Sequence, residues 1–149
     1  MKIVSMEPLH YGSLVKLWKS FPGNSVTGAD SEKGFLVFLE ANGEYCFSAF
    51  SGGFLSGSVM AGTDRRRGYV YHLAVRKDLQ GRGLGRMLME RCENALRKAG
   101  IEKIHLFIYS DNPAVEFYSK AGWHLREDIQ VMSKVLHGDE YEGTRTKGE

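Results

Sequence analysis

Between residues 80 and 86 the chain reads Gln80-Gly81-Arg82-Gly83-Leu84-Gly85-Arg86, and residues of these types in this order could hold an anion. Three glycines within five residues call for a physical reason, because each costs roughly 1 kcal/mol relative to alanine in a helix. Without side chains, the amide N–H groups of residues 81 to 86 can approach a ligand closely, and a helix starting there adds positive potential. Arg82 and Arg86 add full charges suited to phosphate. The plainer alternative is a tight strand-to-helix turn with solvated arginines.

Known phosphate motifs can be tested against this turn. A P-loop needs Lys and then Ser or Thr directly after its last glycine, and here Gly85 is followed by Arg86 and Met87. The dinucleotide fingerprint, started at Gly81 or Gly83, needs a glycine at position 86 or 88; those are Arg86 and Leu88. Neither reading survives.

The elements around the turn are legible. Tyr69 to Val75 is a β-branched and aromatic run without Gly or Pro, which predicts a buried strand. From Leu84 the apolar residues Met87, Leu88, Cys92, Ala95, Leu96 and Ala99 recur at helical spacing, and Gly100 closes the helix.

A strand followed by Gln-x-x-Gly-x-Gly, filled by Gln80, Gly83 and Gly85, resembles the acyl-coenzyme A N-acyltransferases of the GNAT superfamily. A second block agrees with it. Asp111-Asn112-Pro113-Ala114-Val115-Glu116-Phe117-Tyr118-Ser119-Lys120-Ala121-Gly122-Trp123 is similar to the family's N-x-x-A-x-x-F-Y-x-x-x-G-[FW] stretch, in the expected order downstream. The resemblance extends from the N-terminus to about Leu136, resting before residue 57 on element order alone.

The resemblance implies an α/β (α+β) fold, with a mixed, mostly antiparallel sheet, two splayed central parallel strands and helices on both faces. It implies that the pyrophosphate of acetyl-coenzyme A lies on the amides of Gly81, Arg82, Gly83, Leu84, Gly85 and Arg86, after Gln80. The pantetheine arm would run along Leu73, Ala74 and Val75. The amide of Leu73 or its neighbour would stabilise the thioester oxygen, a contribution of about 2 to 4 kcal/mol by analogy with other oxyanion donors. Asn112 would touch the pantetheine arm, cap the helix that begins at Pro113, or do both. Tyr118 would be the general acid that protonates the departing thiolate; its plainer reading is a core tyrosine on the apolar face of that helix.

The general base is less legible. Where several family members carry a glutamate, this chain has Tyr69 and Phe107. The missing glutamate at Phe107 argues against acetylation of ribosomal-protein N-termini. His72 alternates away from Tyr71 and Leu73, so it reads as a core histidine facing the opposite layer. A water chain is the other route for the proton.

The 149 residues suit one domain, assigned to residues 1–136, and 42% apolar composition suits one core. A net charge of +2 gives no electrostatic reason to expect nucleic acid. Cys46 and Cys92 are too few for a disulfide framework and read as reduced core thiols. The N-terminus is broken by charge before an apolar run develops, and no stretch approaches the ~20 residues of a membrane helix, so a cytoplasmic location is expected. The implied partners are acetyl-coenzyme A and an amine acceptor, without metal, nucleic acid or membrane, and with a homodimer as the candidate assembly.

In chain order, Ile3 to Ser5 reads as a strand, and Pro8 opens a helix carrying Leu14, Val15, Leu17 and Trp18. The loop Phe21 to Ala29 is a connection or a lid; the resemblance implies that it lines the acceptor site. Asp30 or Ser31 caps a run with Phe35, Leu36, Phe38 and Leu39 that reads as a helix or, alternatively, a strand. Strands are expected at Tyr45 to Phe50 and Phe54 to Ala61 about a Gly52-Gly53 turn, with a second turn at Gly62-Thr63-Asp64. Arg65-Arg66-Arg67 reads as a solvated hairpin tip, or as a contact for an acidic substrate or partner. Further strands are expected at Lys103 to Tyr109, Trp123 to Arg126 and Ile129 to Leu136, and 137–149 reads as a polar disordered tail.

Two functions follow from different classes. One is an acetyl-coenzyme A dependent N-acetyltransferase acting on a small-molecule or protein amine by direct attack in a ternary complex. The other, prompted by the missing base, is a non-catalytic acyl-coenzyme A binding or sensing domain.

Overall fold

The computed structural model describes residues 1–21 and 26–137. The expected tail and part of the expected 21–29 loop therefore lie outside the described residues. The chain divides into two units, Met1–Leu106 and the residues from Phe107 onward.

The first unit is built on a five-stranded sheet in the order β1 (Lys2–Ser5), β2 (Phe47–Ser51), β3 (Phe54–Thr63), β4 (Gly68–Val75) and β5 (Ile104–His105). The first four pair antiparallel, and β4 pairs with β5 in parallel. That parallel ladder consists of Gly68↔Ile104 and Tyr69↔His105, while β4 runs on to Val75. The strand expected over Lys103 to Tyr109 is thus paired at only two residues.

Local chemistry sets the turns. Gly52 and Gly53 take φ of +58° and +82°, where glycine has no steric cost, and close the β2–β3 hairpin. β3 runs two residues past the expected Ala61, and its turn falls on Asp64 to Arg67. There Asp64 Oδ1 accepts the N–H groups of Arg66 (2.8 Å) and Arg67 (2.9 Å). The Arg67 and Arg66 amides hold the Asp64 carboxyl below its ordinary range. All three arginines are exposed at this tip.

Helices cover both faces. On one side lie α1 (Tyr11–Lys19), entered through a 3₁₀ turn at Pro8–His10, and α2 (Glu32–Asn42). Ser31 Oγ caps α2 by accepting the N–H of Gly34 at 3.1 Å, so the ambiguous apolar run is a helix. Leu14, Leu17 and Trp18 of α1 and Phe35 and Leu39 of α2 bury against Met60 of β3, Met6 and Cys46. Full burial of a side chain such as Leu14 or Phe35 contributes about 1.5–3 kcal/mol.

The other face carries α3 (Leu84–Lys98), which buries Leu84, Leu88, Met89, Cys92 and Leu96. A Cβ at Gly57 would stand 3.0 Å from Leu88 Cδ1 and 3.0 Å from the Ala74 carbonyl, so α3 seats on β3 where only glycine leaves room. Cys46 and Cys92 are free and buried, and burial pushes their thiols up to about 11 and about 12.

The second unit contains α4 (Ala114–Lys120), ended by Gly122 at φ +93°. Among its described residues, 123–126 and 129–136 form no strand, although both segments were expected to. A strand exists through its ladder partner, which an alternating sequence alone does not supply. Arg126 and Asp128 instead pair at 2.8 Å through both guanidinium contacts, a two-residue clamp between the expected strands.

Candidate active site

Three features of the first unit converge on the end of β4: a break in its register, a tie from Gln80, and the exposed start of α3. The register with β3 is Ser58↔Ala74 and then Met60↔Tyr71, so β4 carries one extra residue and bulges. His72 sits in this bulge at φ +48°, a left-handed conformation that costs an L-residue about 1–2 kcal/mol.

The bulge changes which way the backbone faces. The Gly68 N–H donates to Lys103 O, toward the β5 side, whereas the Arg76 N–H donates to Ser56 O on β3. Strand alternation counted back from Arg76 turns the N–H groups of Val75 and Leu73 to the edge that β5 flanks only as far as Tyr69. In a regular strand the even-numbered amides, in step with Gly68, would have faced that edge.

After β4, Arg76 grips Asp78 with Nε at 3.1 Å and Nη2 at 2.6 Å, bracing the 3₁₀ turn Lys77–Leu79. The side-chain bond to Arg76 holds the Asp78 carboxyl below its usual range. Gln80 Nε2 then reaches back to donate to the Val75 carbonyl at 3.0 Å.

Gly81 and Gly83 adopt φ of +80° and +85°. Gly83 is the N-cap of α3, and among the described residues no side-chain cap bond is made at that end of the helix. The first-turn amides of a helix have no partners within it, so this terminus presents donors with the positive end of the dipole behind them. Leu84 is buried, so only its backbone is available, while Arg82 and Arg86 are exposed on either side. Leu73 and Ala74 are half-buried and Val75 is buried.

Asn112 and Tyr118 belong to the second unit. Asn112 Oδ1 accepts the N–H of Ala114 at 2.9 Å, the capping arrangement that was one of its two readings. Tyr118 is half-buried on α4, with its ring edge-on to Phe117 (5.3 Å) and Trp123 (5.9 Å), and its carbonyl accepts the Trp123 N–H at 2.9 Å.

The alternation expected of β4 fails at His72, because the bulge interrupts it. The imidazole lies on the α1 side, stacked on Trp18 at 3.9 Å and 11°. Tyr71 faces the helices too, edge-on to Phe38 of α2 at 5.8 Å. His72 Nε2 also meets Asp30 Oδ1 at 2.9 Å, a pairing across 42 positions that no local pattern announced. Of the two cap candidates Ser31 serves α2, and Asp30 is left for Thr27 and His72.

A mixed sheet with a bulged central strand, a parallel neighbour that pairs only at its start, and a glycine-lined helix terminus defines the GNAT class of acyltransferase folds. The chain belongs to that family: the model described as acetyltransferase (GNAT) domain matches residues 27–139. It is 38% identical over 108 residues to an acetyltransferase of Pectobacterium atrosepticum, covering 72% of this chain and 69% of that one. An acetyltransferase of Sodalis glossinidius is 36% identical over 85 residues, 56% of this chain and 60% of its own length. The match therefore spans about two thirds of these relatives.

Solved structures share the fold at low identity. AAC(6')-Iy, in complex with the bisubstrate analogue CoA-S-monomethyl-acetylneamine, has a TM-score of 0.74 at 16% identity, covering 91% of this chain and 98% of that one. Rv2747 of Mycobacterium tuberculosis, in complex with CoA and NLQ, has a TM-score of 0.70 at 13% identity, covering 89% and 77%. Among the described residues no helix is long and apolar enough to cross a membrane.

Proposed function

We propose that this GNAT-family protein is an acetyl-coenzyme A dependent N-acetyltransferase, passing an acetyl group directly to a primary amine bound in the same complex. The observation that carries the reading is the bulge in β4. It turns the Leu73 and Val75 amides to the edge beyond β5, and Gln80 ties the end of that strand to the turn that leads into α3.

Each residue then has a task. The backbone amides from Gly81 to Arg86 receive the pyrophosphate, where a helix terminus favours negative charge, and Arg82 and Arg86 add screened attraction. The Val75 N–H offers a backbone hydrogen bond to the pantetheine arm, while the Ala74 backbone stays turned to β3. The Leu73 N–H donates to the thioester oxygen as it gains charge. Tyr118 protonates the departing sulfur, and Asn112 fixes the turn before α4. The two relatives solved with coenzyme A ligands support this choice of acyl carrier.

The test is a panel of primary amines with acetyl-coenzyme A, read by thiol release and by mass of the acetylated product. Product formation supports the transferase. Tight coenzyme A binding with no turnover across amino acids, polyamines, aminoglycosides and peptide N-termini would leave an acyl-coenzyme A sensor.

A further inference from the structure

An amine held as its ammonium must lose a proton before it can attack. The positions where a glutamate was sought, Tyr69 and Phe107, supply no base. Resting on the transferase reading, we infer that His72 is the catalytic group that takes this proton, through Nδ1, with Asp30 as its positioning residue.

The hydrogen bonds select the nitrogen. Asp30 Oδ2 accepts the Thr27 N–H at 3.0 Å, and Oδ1 lies 2.9 Å from His72 Nε2. A carboxylate only accepts, so the imidazole proton sits on Nε2 and the Nδ1 lone pair is left for a substrate. Nδ1 has no hydrogen-bond partner among the described residues, and it is not a buried unsatisfied atom.

The ring is also held in place. Trp18 stacks flat against it, and Trp18 Nε1 donates to Ser58 Oγ (3.0 Å), which in turn donates to the His72 carbonyl (2.8 Å). Asp30 is the one charged side chain in contact with the imidazole among the described residues. Asp30 is itself fixed by the bond from Tyr11 OH to its carbonyl at 2.7 Å. A left-handed conformation in a strand persists only where surroundings enforce it, and here the residue that adopts it immediately precedes Leu73, whose amide is assigned to the thioester oxygen.

The proton balance is complete. His72 removes one proton from the ammonium. The amine nitrogen then bonds to the acetyl carbon, the carbon–sulfur bond breaks, and the sulfur takes the Tyr118 proton. The second proton lost by nitrogen restores Tyr118, and His72 releases its proton to water. One amide, one thiol and one proton result.

The test uses His72→Asn, since asparagine tolerates positive φ, with two kinds of acceptor. One is the best alkylamine from the panel; the other is methoxyamine, already neutral at pH 7. Loss of kcat/KM by 10²- to 10⁴-fold with the alkylamine is expected, with less than tenfold loss for methoxyamine and unchanged acetyl-coenzyme A affinity. Equal losses on both acceptors, or an alkylamine loss under threefold, would overturn the role. Nitrogen NMR of the wild-type protein gives a readout independent of turnover. The neutral His72 ring should be the Nε2–H tautomer and should become a mixture in Asp30→Asn; an Nδ1–H tautomer overturns the assignment. Wild-type protein inactive toward every amine sinks the transferase reading itself, an outcome distinct from an active enzyme indifferent to His72.

Discussion

Gln80 Nε2 donates to the Val75 carbonyl across 3.0 Å, joining the entry of the glycine turn to the last residue of β4. The bond fixes the α3 terminus relative to the backbone edge that Leu73 and Val75 present. Gln80→Ala should cost about 1 kcal/mol in coenzyme A binding if that alignment is lost, roughly a fivefold rise in Kd. Isothermal titration with coenzyme A measures it, and an unchanged Kd would separate Gln80 from the cradle.

At Gly83 the conformation and the proposed ligand impose different demands. Its φ of +85° strains a β-branched residue, so Gly83→Val should lose stability as well as coenzyme A affinity. Asparagine accepts such a φ, and nothing lies within 4 Å of the added Cβ. Gly83→Asn should therefore melt close to the wild type while coenzyme A binding falls steeply, its side chain standing where the pyrophosphate must come. Full affinity in a folded Gly83→Asn protein would remove the cradle.

What could be read from the sequence was local. The glycine spacing before α3, its apolar stripe, the Gly52-Gly53 hairpin and the Asn112 cap each depend on residues within one or two turns of chain. The bulge does not, because it is a two-against-one pairing between β3 and β4 that leaves no trace in the composition of Tyr69 to Val75. His72 was therefore assigned to the wrong side of regular alternation, and Asp30, 42 residues away, could not be connected to it. The short β5 has a similar cause: Lys103 to Tyr109 alternates well, but pairing rather than alternation decides where a strand stops.

His10 sets an acid limit on stability. Its Nδ1 accepts the Glu7 N–H at 3.1 Å and meets Ser48 Oγ at 3.0 Å, an arrangement that needs the neutral ring. Burial lowers its pKa below the usual 6.5, against a weaker opposing pull from Glu7. Below 6.5 the unfolded chain therefore binds a proton that the folded one resists. The contribution is present above that value and is lost as pH falls from there through the folded pKa. Urea denaturation at about pH 7.5 and about pH 5.5 should show a smaller acid loss in His10→Gln than in the wild type. An identical loss in both would exclude His10 as the source.

Tyr118 separates an enzyme from a sensor. Its ring packs against Phe117 and Trp123, and Tyr118→Phe retains those contacts while removing only the hydroxyl. If that hydroxyl protonates the departing thiolate, acetyl-coenzyme A affinity should barely change, because the donor acts as the carbon–sulfur bond breaks. Turnover should fall by 10²- to 10⁴-fold at neutral pH, the usual range for a positioned general acid. Loss in kcat with little change in acetyl-coenzyme A binding marks an interaction made in the transition state alone. An acyl donor with a more acidic thiol needs the proton less, so the penalty of the substitution should shrink with it. Steady-state kinetics with two thioesters of different thiol acidity, on wild type and Tyr118→Phe, test both expectations. A phenylalanine variant within twofold of an active wild type would return Tyr118 to a packing role and leave the Leu73 amide as the principal group acting on the thioester.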